Sequence, residues 1–262
     1  MKIKTGVLAF VLSLSSLSTS AVFAAETDSI NIYFARHGKT ILNTYDRVQG
    51  WADSPLTSSG IETARYLGAG LKEVPFTRFY TSDAGRQRET MRVILQEMGK
   101  PKASVTELTD LREMFFGGFE GLANADMGNA AAQKLGISSG AAMFQQMDEG
   151  RIGLFALVDT ISQSDEKKEA ENAQQVKTRM QHALNSMVQD ALKGGDKNIL
   201  AVSSGVSMQM MISDMTDNPE KNKPLANAAV VKITYKDGEY NVTDIGDLSY
   251  VAKGKVIINK GQ

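Results

Sequence analysis

The chain has 262 residues, with 29 basic and 30 acidic side chains, two histidines, no cysteine and a net charge of −1. Without cysteine there is no disulfide, thiolate metal site, iron–sulfur cluster, catalytic thiol or lipid-bearing cysteine, and two histidines exclude a histidine-rich metal site. A near-neutral charge without runs of one sign supplies no electrostatic footprint for DNA or RNA, so neither is expected as a partner.

The chain opens with Lys2 and Lys4, an apolar stretch from Val7 to Leu17 and small residues at Ala21, Ala24 and Ala25. This order is that of a secretory signal peptide. The apolar run is shorter than the roughly 20 residues that span a bilayer, so cleavage after Ala24 is expected rather than anchoring. Residues 25–262 then form one exported domain, periplasmic or secreted, with no stable membrane anchor.

Ile30 to Ala35 (INIYFA) reads as a strand, Gly60 to Lys72 as a helix, Phe76 to Thr81 (FTRFYT) as a second strand and Gly85 to Gly99 as a second helix. From about 122 to 169 the rhythm changes to alanine, glycine, methionine and polar residues, which predicts a mainly helical cap insertion. Met143, Phe144, Met147 and Phe155 there could line an apolar pocket, but the cap's own core is the expected place for them. Ala173 to Lys193 places Val176, Met180, Leu184, Met187 and Ala191 at helical spacing. Asn198 to Ser203 (NILAVS) reads as a third strand, and Ala229 to Tyr235 with Tyr240 to Ile245 as a hairpin turned by Asp237-Gly238. Alternation of strands and helices predicts an α/β fold. The expectation is a three-layer sandwich: a mostly parallel central sheet, helices on both faces and the helical cap.

Ligands of open α/β sheets bind beyond the carboxyl ends of the strands. Three such ends carry Arg36-His37-Gly38, Ser82-Asp83-Ala84-Gly85-Arg86 and Ser203-Ser204-Gly205. Two arginines suit phosphate oxygens, and a histidine held between them can attack phosphorus as a neutral imidazole. Phosphoryl transfer is the chemistry these residue types share.

Taken together, RHGKTILN (36–43), QGWADSPLTSSG (49–60) and SDAGRQRET (82–90) resemble the histidine phosphatase superfamily, of phosphoglycerate-mutase-like fold. LREMFFGGFEG (111–121), AENAQQVKTR (170–179), ILAVSSG (199–205) and residues 227–251 continue the likeness in family order. The resemblance makes His37 the phosphate-accepting histidine, Arg36 and Arg86 the phosphate-binding arginines, and Asn43 a phosphoryl contact, with Gln49 and Gly50 at the entrance. It makes Glu113 the proton donor. Arg88 falls out of register and reads as a surface charge, and Glu120 as a packing or capping residue. Where the family carries a second histidine this chain has Ser204, beside Gly205; both are expected at the substrate, with Ser204 donating one hydrogen bond to a phosphate oxygen. His182 reads as a solvent-facing helix residue that cannot replace the missing histidine.

The resemblance therefore implies a metal-independent phosphomonoester hydrolase, needing no cofactor, that acts through a phosphohistidine on His37 and is slowed by Ser204. Its partner is a small phosphorylated substrate or phosphate, and oligomeric state leaves no readable mark in the sequence. A second reading is a catalytically silent member that binds an anionic ligand or a partner. A phosphomutase is the third.

Overall fold

The structure, a computed structural model, describes residues 29–261. The predicted signal peptide and its cleavage site lie outside the described residues.

The elements follow one another as β1 (Ile30–Arg36), α1 (Ile41–Thr44), α2 (Ser58–Leu71), β2 (Arg78–Thr81), α3 (Gly85–Glu97) and β3 (Val105–Glu107). Then come α4 (Asn124–Lys134), α5 (Gly140–Asp148), α6 (Leu154–Ser164), α7 (Ala173–Gly194), β4 (Asn198–Ser203), α8 (Gly205–Met211), β5 (Val230–Lys236), β6 (Glu239–Asp247) and α9 (Ser249–Lys260). The sheet order is β3-β2-β4-β1-β5-β6. Strands β3, β2, β4 and β1 run parallel, and the β5–β6 hairpin adds the antiparallel side. Asp237 and Gly238 both have positive φ, +54° and +90°, as a tight hairpin turn requires.

Side chains alternate across the central strands and so feed two cores. Ile32 and Phe34 of β1 join Ile199 and Ala201 of β4 on the face covered by α7, α8 and the cap. Tyr33, Ala35, Leu200 and Val202 face the opposite side, under α2, α3 and α9. This is the expected three-layer α/β sandwich. The long helix α7 starts at a capping box between Asn172 and Gln175 and buries Val176, Met180, Leu184, Met187 and Ala191.

Three elements depart from the sequence reading. The second strand is shorter than the apolar run, with Phe76 buried just ahead of it. Strand β3 is a three-residue edge with a largely exposed pattern, too short for periodicity to register. Helix α9 packs against α2 at glycine contacts: a Cβ on Gly254 would lie 1.7 Å from the Tyr66 carbonyl, and one on Gly70 would lie 1.9 Å from that of Tyr250. Between 122 and 169, α4 packs on both α5 and α6. Among the described residues no helix is long and apolar enough to cross a membrane.

Candidate functional site

Strands β1 and β4 end side by side, with Arg36 paired in register to Ser203 and the His37 N–H donating to the Ser203 carbonyl at 3.0 Å. The two predicted site segments are therefore neighbours through sheet register alone. Gly38 has no room for a side chain, since a Cβ would lie 2.7 Å from the Gly60 carbonyl. Its N–H donates to Thr90 Oγ1 at 3.0 Å, and that hydroxyl donates to the Arg86 carbonyl at 2.7 Å, tying the histidine loop to α3.

His37 is only 3% exposed. Its Nδ1 lies 2.8 Å from the Gly38 carbonyl. A carbonyl only accepts, so Nδ1 carries the hydrogen and Nε2 keeps a free lone pair. Burial, then the positive charges of Arg86 and Arg36, push the imidazole well below its ordinary value of 6.5, and hold it neutral. A neutral ring with an open Nε2 is the form able to attack phosphorus.

Arg86 is completely buried. It donates to Gly50 O at 2.7 Å, to Ala52 O at 3.1 Å and to Asp53 Oδ1 at 2.9 Å. Arg36 donates through Nη1 to the Leu225 carbonyl. The Nε atoms of both arginines are buried and have no partner within the protein. Two orphaned guanidinium N–H donors acting on one neutral histidine suit an oxyanion.

Glu113, 6% exposed, accepts from the N–H groups of Met114 (2.8 Å), Ser207 (2.8 Å) and Val206 (3.1 Å). Arg179 of α7 fixes its loop by donating to the carbonyls of Asp110, Arg112 and Glu113 at 2.7–2.9 Å. Glu120 takes the structural part expected of it. Its carboxylate accepts from the N–H groups of Gly50, Trp51, Ala52 and Phe116 at 2.9–3.1 Å, shaping the loop whose carbonyls hold Arg86.

Arg36, His37, Asn43, Gln49 and Glu113 line one cavity of about 310 Å³ that continues under the cap. Arg86, Gly50, Ser204 and Gly205, also expected at the substrate, are not part of that lining. Gly50 contributes its carbonyl to Arg86, and Gly205 lies close to Arg36, with a Cβ there at 3.4 Å from Nε. Ser204 is completely buried, and its hydroxyl accepts from Gln87 Nε2 at 2.7 Å while Gln87 Oε1 accepts from Ser82. Arg88 pairs with Glu107 at the surface, and His182, mostly exposed, sits 2.7 Å from Asp110, both away from the cavity. Met143 and Met147 belong to the buried core and Phe144 and Phe155 pack against it; Phe144 and Met147 also line the cavity, and Phe155 faces another hollow.

Two further polar residues at the site carry no signal of their own in the sequence. Asn227 donates to the His37 carbonyl at 3.0 Å and to Asn43 Oδ1 at 3.4 Å, closing the loop over the site. Gln87 is the other. Neither belongs to a local pattern, although both fall inside blocks that carry the family likeness. Among the described residues no cluster of three or more histidine or carboxylate side chains is placed to hold a metal ion.

The family model described as histidine phosphatase superfamily (branch 1) matches residues 32–248. The crystal structure of phosphoglycerate mutase from Bacillus anthracis str. Sterne superposes with a TM-score of 0.82 at 37% identity, covering 87% of this chain and 98% of that one. Bacillus stearothermophilus YhfR does so with a TM-score of 0.65 at 25% identity, covering 85% and 99%. Among curated relatives, the probable phosphoglycerate mutase GpmB of Salmonella arizonae is 26% identical over 230 residues, 85% of this chain and 95% of that one.

Proposed function

The chain belongs to the histidine phosphatase superfamily, and from that premise we propose that it hydrolyses phosphomonoesters through a phosphohistidine on His37. The observation that carries the proposal is the neutral His37, with Nδ1 committed to Gly38 and the unpartnered Nε atoms of Arg36 and Arg86 buried beside it. The His37 Nε2 lone pair forms the P–N bond as the P–O bond to the leaving alcohol breaks in line. Arg36, Arg86 and Asn43 hold the phosphoryl oxygens. Glu113 delivers a proton to the leaving oxygen and takes one from the water that then cleaves the P–N bond and releases phosphate. The guanidinium pair supplies the positive charge, so no metal enters any step. The Lys, apolar and small-residue order of the first 25 residues supports an exported enzyme.

The test is acid quench of the purified protein after incubation with a labelled phosphomonoester, with a chelator present. The expected adduct is acid-labile and base-stable, maps to His37 and disappears together with turnover in His37→Asn. Undiminished turnover in that variant would refute the covalent mechanism.

A second reading, a silent member that binds phosphate without turning it over, draws support from Ser204, whose hydroxyl is engaged by Gln87. In that case phosphate binds, His37→Asn does not abolish binding, and no adduct forms. A phosphomutase, the activity in the name of the Bacillus anthracis relative, ranks third. That reaction needs a phosphohistidine shielded from water and a cytosolic pool of sugar phosphates, whereas the first 25 residues read as an export signal.

A further inference from the structure

We infer that the leaving group accepted by this site is apolar, an alcohol or phenol with a hydrocarbon body, rather than a sugar or a hydroxy acid. The inference rests on the phosphatase reading for its reaction and adds the substrate class to it. The cavity extends from His37 to the cap, where its wall is made by Phe144 and Met147 of α5 and by Leu154, Leu157, Val158 and Ile161 of α6. The four α6 residues stand at i, i+3, i+4 and i+7, a single apolar stripe. Helices α4 and α6 pack together, yet this stripe also supplies cavity wall.

Most polar side chains in the lining are already committed to the protein, half-buried Asn222 being the exception. Gln209 Nε2 donates to the carbonyls of Lys221 and Lys223 at 2.9 and 2.8 Å. Asn124 donates to Asp46 Oδ1 at 2.7 Å. Gln49 accepts from Thr40 and donates to Ser54 Oγ at 3.1 Å. The lining holds two cations: Arg36, at the phosphoryl end, and Arg47, an exposed side chain that donates to the Gly121 carbonyl. Against Phe144, Met147 and the α6 stripe a sugar, or the carboxylate of a hydroxy acid, would leave polar groups facing hydrocarbon, with only Arg47 and Asn222 as open partners, whereas a hydrocarbon body would leave nothing unsatisfied. At about 310 Å³, the cavity holds a phosphoryl group with a small organic body.

The experiment measures kcat/KM on the purified protein for ethyl, butyl and hexyl phosphate, whose leaving alcohols are closely similar in acidity, beside 3-phosphoglycerate and glucose 6-phosphate. Each buried methylene should raise kcat/KM by up to about fourfold, and both polar esters should fall below hexyl phosphate. Leu157→Asn, which puts an amide on the wall, should cut the hexyl-to-ethyl ratio by about fivefold or more. A flat series, or 3-phosphoglycerate as the preferred ester, overturns the inference and leaves hydrolysis standing. If no ester turns over, calorimetry with hexylphosphonate and methylphosphonate decides the matter. Tighter binding of hexylphosphonate upholds the apolar site while catalysis falls, and equal or absent binding overturns the site as well.

Discussion

Placing a histidine at position 204 is the sharpest test of how the proposed active site is built, and the packing there predicts that the single substitution fails where a double one succeeds. Ser204 follows Ser203, the β4 partner of Arg36, so it stands across from His37 at the two strand ends. Its surroundings are filled: Ser204 and Gln87 are both completely buried, and the Gln87 amide donates to the Ser204 hydroxyl at 2.7 Å. Ser204→His alone forces a ring into that space at about 1–3 kcal/mol of overpacking. Leaving the Gln87 amide buried without its acceptor costs about 1–3 kcal/mol more. Together these lower the melting temperature by roughly 5–15 °C for a chain of this size, with no gain in rate. Gln87→Ala removes as many heavy atoms as Ser204→His adds, so the double variant should lie within about 1–2 kcal/mol of the parent, the residue being the acceptor lost to Ser82. With a charged donor at the phosphoryl group its kcat should rise by up to about 10²-fold, roughly 2.7 kcal/mol of transition-state stabilisation. Thermal denaturation and steady-state kinetics of the parent, both singles and the double give the full cycle. If Ser204→His alone were as stable and as fast as the double variant, Gln87 would not be the occupant of that space. A double variant that folds but turns over no faster than the parent would show that the missing donor does not limit the reaction.

Other parts of the site give equally direct tests. His37 is buried neutral with its titration displaced downward, so below pH 6.5 the unfolded chain takes up a proton that the folded chain refuses. Stability should therefore fall as the pH drops through that window, by up to about 1.4 kcal/mol per pH unit, and fall less in His37→Asn; denaturant titrations of both proteins from pH 7 to 5 with equal slopes would contradict this. Glu113→Gln should slow alkyl esters by about 10²-fold or more and nitrophenyl phosphate far less, because protonation matters least for an acidic leaving group. A uniform loss would mean that its bonds to Met114, Val206 and Ser207 are its whole role. Glu120→Ala strips the acceptor from four backbone N–H groups. It should cost about 2–4 kcal/mol and, by loosening the carbonyls of Gly50 and Ala52 around Arg86, raise KM; a variant with parental stability and KM would remove Glu120 from that role.

Much of this protein is legible in its sequence because the relevant signals are local. The strand run INIYFA, the helical spacing from Val176 to Ala191 and the Asp-Gly turn each act through backbone geometry and burial period within a few residues. The placement of Arg36-His37, Arg86 and Ser204 at strand and helix ends follows from the same alternation. The tertiary structure alone decides what touches what across the chain. Gln87 meets Ser204 across a sequence separation of 117, and Asn227 reaches His37 across one of 190. Neither pairing has a periodic signature, since a hydrogen bond between distant segments depends on sheet register and helix packing rather than on residue spacing. The same holds for α9, seated on α2 by close glycine contacts, and for the cap. There Met143, Phe144, Met147 and Phe155 pack in or against the core as the sequence suggests, yet Phe144, Met147 and the α6 stripe also wall a cavity. An apolar period shows that a face must leave water, and only packing determines whether a neighbouring helix or a bound molecule covers it.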